Sequence, residues 1–503
     1  MKRASFVALL LCCCIVLLSI PVSAAAVPSG YTAISTADQL MGITNMSGKY
    51  ILTADIDLTG KTWVPLGSAD APFTGVFDGN GYVISYLSGK NGLFHTNAGT
   101  IQNVTLDSSC TVSYKGGAPY YSYVGSIVGT NDGIVQNCIN NGTVVTSSIF
   151  YTGGICGLNR NTINGCVNTN SVTATRINTS SSELHVGGIC GYMSGTTVTI
   201  DQCWNGGTIS AKNTTSKPTF AGGISGNCGH SSGNSQHVIS NCYNRGPVSV
   251  ESNSNACAGG IVGRLVGDDI QYSYNVGTIT VDGKDTYSEY CFAIAGSNVG
   301  VNEFSPKGVY TNCYYLDGCY ENTGGSVKTG TTACTDAQLR QKSTFAGFDF
   351  NSTWMIDGGS SYRYPVLRAT HDCSHAYRLT KDTATCTSAG TKTYTCDYCG
   401  GTRRETSPML DHFDETLDSF CDGCGKDLFV VTVTADQLTF AHMPAGLCLL
   451  IAGYTDGRLE TFQIPELLSD SAIIEAAVQS CTSVTVFFLN EAYAPIRTAL
   501  PVK

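Results

Sequence analysis

Between Gly92 and Cys319 the chain alternates short apolar stretches with turns rich in Gly and Asn. A glycine-flanked apolar triplet appears as GLF at Gly92, GSIVG at Gly125, GGICG at Gly153 and Gly187, GGISG at Gly222 and GGIVG at Gly259, at spacings of 28 to 37 residues. Each copy is followed by a second half: IQNVTL at Ile101, VQNCINNGTV at Val135, INGCVNTNSV at Ile163, IDQCWNGGTI at Ile200, ISNCYNRGPV at Ile239 and IQYSYNVGTI at Ile270, with a weaker YTNCYYLDG at Tyr310. Both halves are rich in Ile, Val, Thr and Tyr and read as strands, with Asn-Gly, Gly-Gly and Asn-Thr-Asn as turn chemistry between them. A period in this range marks a solenoid, propeller or array, and each copy is too short for a four-stranded propeller blade and lacks a helical pattern. Two or three short strands per copy predict a mainly β fold, a right-handed parallel β-helix (solenoid). Stacked coils then place Ile127, Ile155, Ile189, Ile224 and Ile261 in one interior ladder. Cys138, Cys166, Cys203, Cys242 and Cys313 form another, with Ser273 replacing one member. The paired glycines mark corners where a side chain would clash.

Composition agrees with this picture. Charged residues make up 13% of the 503 residues, against about 25% in ordinary soluble domains. The recurrence of Ile, Val and Tyr separates the chain from a disordered polar one. A net charge of −10 with no cluster of Lys and Arg argues against a nucleic-acid partner. At the N-terminus, Lys2 and Arg3 precede an apolar run from Phe6 to Ile20 and the small residues Val22 to Ala26, which predicts a secretory signal peptide over 1–26. The mature chain is therefore expected to be secreted or extracellular, in association with a cell surface, without stable membrane insertion.

The repeats resemble the GLUG-motif family of bacterial secreted and cell-surface proteins, whose core is Gly, an apolar pair and Gly, here the IVG, ICG and ISG that close each first half. The flanks resemble the same family: AISTADQL from Ala33, YILTADIDLTG and FTGVFDGNGYVISYL lead in, and TDAQLRQKSTFAGFDFNSTWMIDGGSSYRYPVLRA leads out near Ala369. The resemblance implies an adhesin-like β-helical surface module, mostly of unknown ligand, with an N-terminal cap over 27–91 and the repeats and exit segment over 92–370; it does not imply catalysis.

From His371 the composition shifts to Cys and His, giving a Cys/His-rich module over 371–427 and a small β-rich, sandwich-like domain over 428–503. Two C-x2-C knuckles, Cys396/Cys399 and Cys421/Cys424, each followed by Gly, have the spacing that lets two thiolates reach one metal. A structural zinc held by these four cysteines is the expectation, with Cys373, His375, Cys386 and His412 as alternative ligands. Disulfides are the competing reading outside the cytoplasm. In the last domain, Tyr454 and the strand Phe487-Phe488-Leu489 are expected in the core, and 471–480 as a helix or loop.

No catalytic residue is expected. Asp132, Glu183, Asp201, Glu251, Asp268, Asp269, Asp282 and Asp285 fall at different phases of the repeat, whereas glycan cleavage needs carboxylates converging on one face. Cys156 shares its repeat position with Cys190, Ser225 and Val262, the pattern of a core position and not of a nucleophile paired with His185. The expected function is non-catalytic binding of a glycan or protein ligand through exposed Tyr, Asn, Ser and Thr, including Tyr120, Tyr121 and Tyr123. A glycan-active lyase or hydrolase and a passive spacer are the alternatives. In-register neighbours hold their Cβ atoms about 4.8 Å apart, more than a disulfide prefers. Peptide mass spectrometry of the unreduced chain is therefore expected to show Cys166 and Cys203 as separate thiols; a Cys166–Cys203 crosslink would contradict the ladder reading.

Overall fold

The computed structural model describes residues 27–115, 123–177, 183–229, 236–283, 289–299, 308–320, 328–371, 377–396, 402–413, 420–434, 436–444, 446–465 and 471–502. The expected signal peptide, Tyr120, Tyr121, Cys373, His375 and Cys399 lie outside them. The chain divides into two units, Met1–Cys373 and Ser374–Lys503.

The first unit is a stack of coils, and each complete coil of the repeats is made of five short strands. In one coil these are Val128–Asn131, Ile134–Gln136, Ile139–Asn140, Thr143–Ser147 and Tyr151–Gly153. Each pairs in parallel with its counterpart one coil on: Val128 with Cys156, Val135 with Ile163, Ile139 with Val167, Val144 with Val172 and Tyr151 with His185. The parallel β-solenoid is thus as expected, but with five strands per coil in place of two or three. Strands of two or three residues are too short to show alternation, so the sequence merges them into turns. In coil order the five faces hold seven, ten, ten, seven and six strands, so the second and third faces continue past the repeats at both ends. They begin in the N-terminal segment, at Thr32–Ile34 and Ile56–Asp57, and finish at Tyr310–Thr311 and Thr331–Cys334.

The two expected interior ladders are present. Ile127, Ile155, Ile189, Ile224 and Ile261 are fully buried, and each donates its N–H to the carbonyl of the next along the stack, as Ile155 to Ile189 at 3.0 Å. Cys138, Cys166, Cys203, Cys242 and Cys313 are equally buried, and no described cysteine forms a disulfide. Each thiol turns back to the carbonyl two residues earlier, as Cys203 to Asp201 at 3.2 Å and Cys242 to Ser240 at 3.0 Å; Ser273 makes the same bond to Gln271 at 2.7 Å. A small donor at this position satisfies a buried carbonyl, which explains why Ser substitutes for Cys. Burial pushes the thiols of Cys138, Cys166 and Cys203 well above their usual pKa, so they stay protonated. The residue before the ladder is left-handed in every coil: Asn103, Asn137, Gly165, Gln202, Asn241, Tyr272 and Asn312 have φ between 47° and 62°. Asn and Gly dominate there because they adopt this conformation at least cost.

A third ladder was not expected. Asn140, Asn168, Asn205, Asn244 and Asn275, of which Asn168 and Asn205 fall in the turn motifs read from sequence, are fully buried. Each of the first four donates through Nδ2 to Oδ1 of the next at 2.8 Å, Asn275 donates to Cys319 Sγ at 3.5 Å, and all five also donate to the carbonyl two residues ahead. The paired glycines make room for this chain of amides. A Cβ added to Gly188 would lie 2.1 Å from the Gly223 carbonyl oxygen and 2.4 Å from Cγ of Asn205.

The aromatic side chains of the third face do not face solvent. Trp204, Tyr243 and Tyr274 stack at 5.4 and 5.1 Å, and the exit segment packs over them. Its Trp354 lies 6.0 Å from Tyr243 and 5.9 Å from Tyr274, Tyr362 bonds Tyr274 through the hydroxyls at 2.9 Å, and Thr370 accepts from Trp204 Nε1 at 3.1 Å.

The second unit begins with an antiparallel sheet of Tyr377–Asp382, Gly390–Cys396 and Thr402–Ser407. A small antiparallel sandwich follows. Val430–Val433, Gln437–Ala441 and Ser471–Ile473 form one sheet; Arg458–Gln463, Cys448–Thr455, Ser483–Leu489 and Leu500–Pro501 form the other. The segment expected as helix or loop is a strand followed by the helix Ala476–Gln479. Strand alternation sends Val484, Val486 and Phe488 into the core with Leu438, Leu449 and Ile451, so Phe487 and Tyr454, expected inside, lie on the outer face.

Replacing Asn205 by Ala removes two donated and two accepted bonds, leaving the Gly207 carbonyl and N–H, Asn244 Oδ1 and Asn168 Nδ2 each short of a partner. The expected cost is about 3 kcal/mol, read as an earlier midpoint in urea unfolding. Cys203→Ser, by the precedent of Ser273, is expected to shift the midpoint by less than about 1 kcal/mol; equal effects of the two substitutions would refute the amide ladder as the more demanding element.

Candidate functional site

Four of the eight expected ligand residues come together in the second unit. The turn after Tyr377–Asp382 carries Cys386, and Leu410 N–H bonds the Thr385 carbonyl at 3.0 Å, which brings the segment of His412 beside it. Asp422 N–H bonds the Phe413 carbonyl at 3.0 Å and so aligns the second knuckle with this segment. Within the knuckle, the N–H groups of Cys424 and Gly425 both point to the Cys421 carbonyl, at 3.2 and 2.7 Å, and Gly425 is left-handed at φ +71°. Gly423 keeps the loop thin, since a Cβ there would lie 3.1 Å from Cys386 Sγ.

The result is a group of Cys386, His412, Cys421 and Cys424 whose ligand atoms all lie within 4.8 Å of one another. Cys421 Sγ is 3.6 Å from Cys386 Sγ, and Cys424 Sγ is 3.5 Å from His412 Nδ1. A disulfide needs about 2.05 Å between sulfurs. A tetrahedral zinc, with bonds of about 2.3 Å to sulfur and about 2.0 Å to nitrogen, holds S···S pairs about 3.8 Å and S···N pairs about 3.5 Å apart. The observed separations fit the tetrahedron. Burial disfavours the Cys421 thiolate, but backbone hydrogen bonds at Phe413 and Gly423 and the His412 ring outweigh it and bring the pKa down to about 6. Cys386, facing Cys424 and partly desolvated, is pushed up to about 11. The set therefore takes the second knuckle whole and completes it with Cys386 and His412. Cys396 is buried at the end of its strand and is not a member of this group, while Cys399, Cys373 and His375 lie outside the described residues.

A second group of potential ligands, not expected from the sequence, is Cys228, His237 and Asp268 in the solenoid. The other pairing considered from sequence does not form a site: Cys156 lies in the core opposite Cys190, while His185 stacks on Phe220 at 5.2 Å and bonds Glu183 at 3.2 Å. The flank of the solenoid carries a groove of about 500 Å³ lined by Lys90, Asn91, Tyr114, Tyr123, Asp132 and Arg160 among others. Tyr123 stacks on Tyr151 at 5.4 Å, and Asp132 pairs with Arg160 at 3.3 Å. Among the described residues, no helix is long and apolar enough to cross a membrane.

No family model matches the chain. A stretch of 140 residues is 37% identical to Halomucin of Haloquadratum walsbyi, covering 23% of this chain and 1% of that protein. Among solved structures, the chain is similar to one from Bacteroides ovatus described as a putative immunoglobulin A1 protease, with a TM-score of 0.45 and 21% identity over 67% of this chain and 92% of that one.

Loss of two thiolates should abolish binding at the four-ligand group, because the remaining Cys and His cannot complete a tetrahedron. A Cys421→Ser, Cys424→Ser chain is expected to carry one zinc equivalent fewer than the parent by elemental analysis. It is also expected to be cut faster by protease within 377–428; equal metal content in both chains would exclude the site.

Proposed function

We propose that the chain is a secreted or cell-surface protein of the GLUG type, with an adhesin-like, non-catalytic role in which the solenoid binds a glycan. The Cys/His module, in the same reading, is held by a structural zinc on Cys386, His412, Cys421 and Cys424. Four protein ligands leave no open position for water, so such a zinc supports folding and does no chemistry.

The observation that carries the binding reading is the flank groove. Its lining combines the rings of Tyr114 and Tyr123 with the amide of Asn91 and the charged Lys90, Asp132 and Arg160. Aromatic surface suits the apolar faces of a sugar ring, and convergent amide and charged groups suit its hydroxyls. The lining carboxylate, Asp132, is engaged by Arg160 at 3.3 Å, an arrangement that suits recognition better than proton transfer. The rigid coil stack supports this reading, since a preformed groove loses little conformational freedom on binding.

The test is a glycan array probed with the full chain, followed by titration of each hit. Saturable binding, weakened about tenfold or more by Tyr123→Ala and by Arg160→Ala, is the expected result. Saturable binding to host proteins alone would move the ligand class from glycan to protein. Release of products from uronate or neutral glycans would replace binding by catalysis, and an array without hits would leave the solenoid as a spacer.

A further inference from the structure

The solenoid contains a place where its regular ladders give way to chemistry. At the corner between the first and second faces, Asn97, Asn131 and Asn159 form a short amide ladder, each bonding the next at 2.8 Å. It stops at Asn159. In the following coils the same register position holds Met193, Cys228 and Leu265. Beside Cys228 lie His237, at the start of a second-face strand, and Asp268 from the next coil, which directly precedes Asp269, the partner of Val238. Cys228, His237 and Asp268 are 0%, 1% and 3% exposed.

The hydrogen bonds around His237 set a condition on what lies between it and Asp268. Nε2 is 3.0 Å from the Gly195 carbonyl oxygen, which accepts only, so Nε2 carries hydrogen. The other ring nitrogen, Nδ1, is 3.1 Å from Asp268 Oδ2. The carboxylate is already an acceptor: Oδ1 takes the His237 backbone N–H at 3.1 Å, and Oδ2 faces the Cys228 thiol at 3.9 Å. Two acceptors face each other across 3.1 Å, so a positive charge must sit between Nδ1 and Oδ2. A proton meets that condition, and so does a metal ion.

We propose that Cys228, His237 and Asp268 form a second, buried metal site for a divalent ion of the zinc class. Three features favour the ion over the proton alone. The three donor atoms lie within 4.8 Å of one another. A tetrahedral zinc with these ligands would hold N···O about 3.3 Å and S···O about 3.5 Å apart, and 3.1 and 3.9 Å are within a few tenths of an ångström. The Gly195 carbonyl also holds the imidazole by its far nitrogen, the outer contact that fixes the tautomer of a ligating histidine and aims its lone pair at the metal. Sulfur and imidazole donors select zinc-like ions over calcium or magnesium, which take oxygen.

The charges balance in the buried setting. Without metal the site holds a neutral thiol, a carboxylate and the proton between Nδ1 and Oδ2. On uptake the thiol proton and the shared proton leave, and a dication with thiolate, carboxylate and neutral imidazole is again neutral, as deep burial requires. Three protein ligands leave a fourth position for water.

The experiment counts metal in the full chain, as purified and after equilibration with cobalt(II), whose thiolate charge-transfer band reports a Cys ligand. The parent should hold two equivalents. A Cys421→Ser, Cys424→Ser chain should hold one and keep part of the cobalt–thiolate band; adding Cys228→Ala should remove both. Cys228→Ala alone, with folding checked by circular dichroism, should lose one equivalent, and His237→Gln should behave alike. A parent with one equivalent that disappears with Cys421 and Cys424 would overturn the proposal and leave an imidazolium–carboxylate pair. One equivalent that survives their loss but disappears with Cys228 would support this site and instead overturn zinc binding in the Cys/His module.

Discussion

The solenoid rests on one close fit: a chain of buried amides that occupies the space left by glycine. Asn168, Asn205 and Asn244 bond one another at 2.8 Å through the interior of the stack, and each lies against the second glycine of a Gly-Gly pair. A Cβ on Gly154, Gly188 or Gly223 would come within 2.3 to 2.6 Å of the Cγ of Asn168, Asn205 or Asn244 respectively. The two halves of the repeat are therefore one device. The glycine pair of the first half brings two faces close enough to shut out water, and the Asn of the second half supplies the donors and acceptors that this dehydrated corner requires. Neither half is tolerable alone, since a buried amide without partners costs about 1–3 kcal/mol and an open corner would admit solvent to the core.

Coil spacing follows from this fit, and the remaining ladders fall into register. The Ile ladder fills the volume inside the first face, and the Cys ladder closes the second corner with a small donor that reaches back to its own chain. The third face stacks Trp204, Tyr243 and Tyr274, and the exit segment covers them with Trp354 and Tyr362. This aromatic row is the seat of a structural cover. The ends are managed as well. Thr331–Cys334 adds a last strand to the third face and leads into the helix Asp336–Leu339 through a capping box on Thr335.

What could be read in the sequence follows from how each feature is encoded. The coil register was legible because Ile and Cys recur at positions where only apolar or small side chains fit. Five strands per coil were not, because a strand such as Ile139–Asn140 has no room for alternation. The amide ladder was hidden because Asn followed within two residues by Gly or Asn is ordinarily a surface turn, and only the stacking of coils converts it to an interior row. In the Cys/His module the pool of ligands was visible, but its grouping depends on loop backbone bonds, Leu410 to Thr385 and Asp422 to Phe413, that bring Cys386 to Cys421, some 35 residues on, with Sγ atoms 3.6 Å apart. Cys228, His237 and Asp268 gave no signal at all: they come from two successive coils and sit at different phases, and Asp268 looks like one more turn carboxylate.

A repeat fold of this kind confines novelty to places where its ladders can be interrupted. Inside a run of identical positions, a new polar group meets neighbours that cannot satisfy it, so most substitutions are excluded by their coil-mates. At the end of a run that restriction lapses. The Asn97–Asn131–Asn159 ladder ends where Met193, Cys228 and Leu265 succeed it, and it is there that a buried carboxylate, imidazole and thiol gather. The flank groove lies near the opposite limit of the fifth face, whose strands begin at Tyr123, so Tyr123 heads its row instead of standing within it. Both locations are ladder ends. In this chain the uniform coils supply rigidity, and the chemistry collects where uniformity stops.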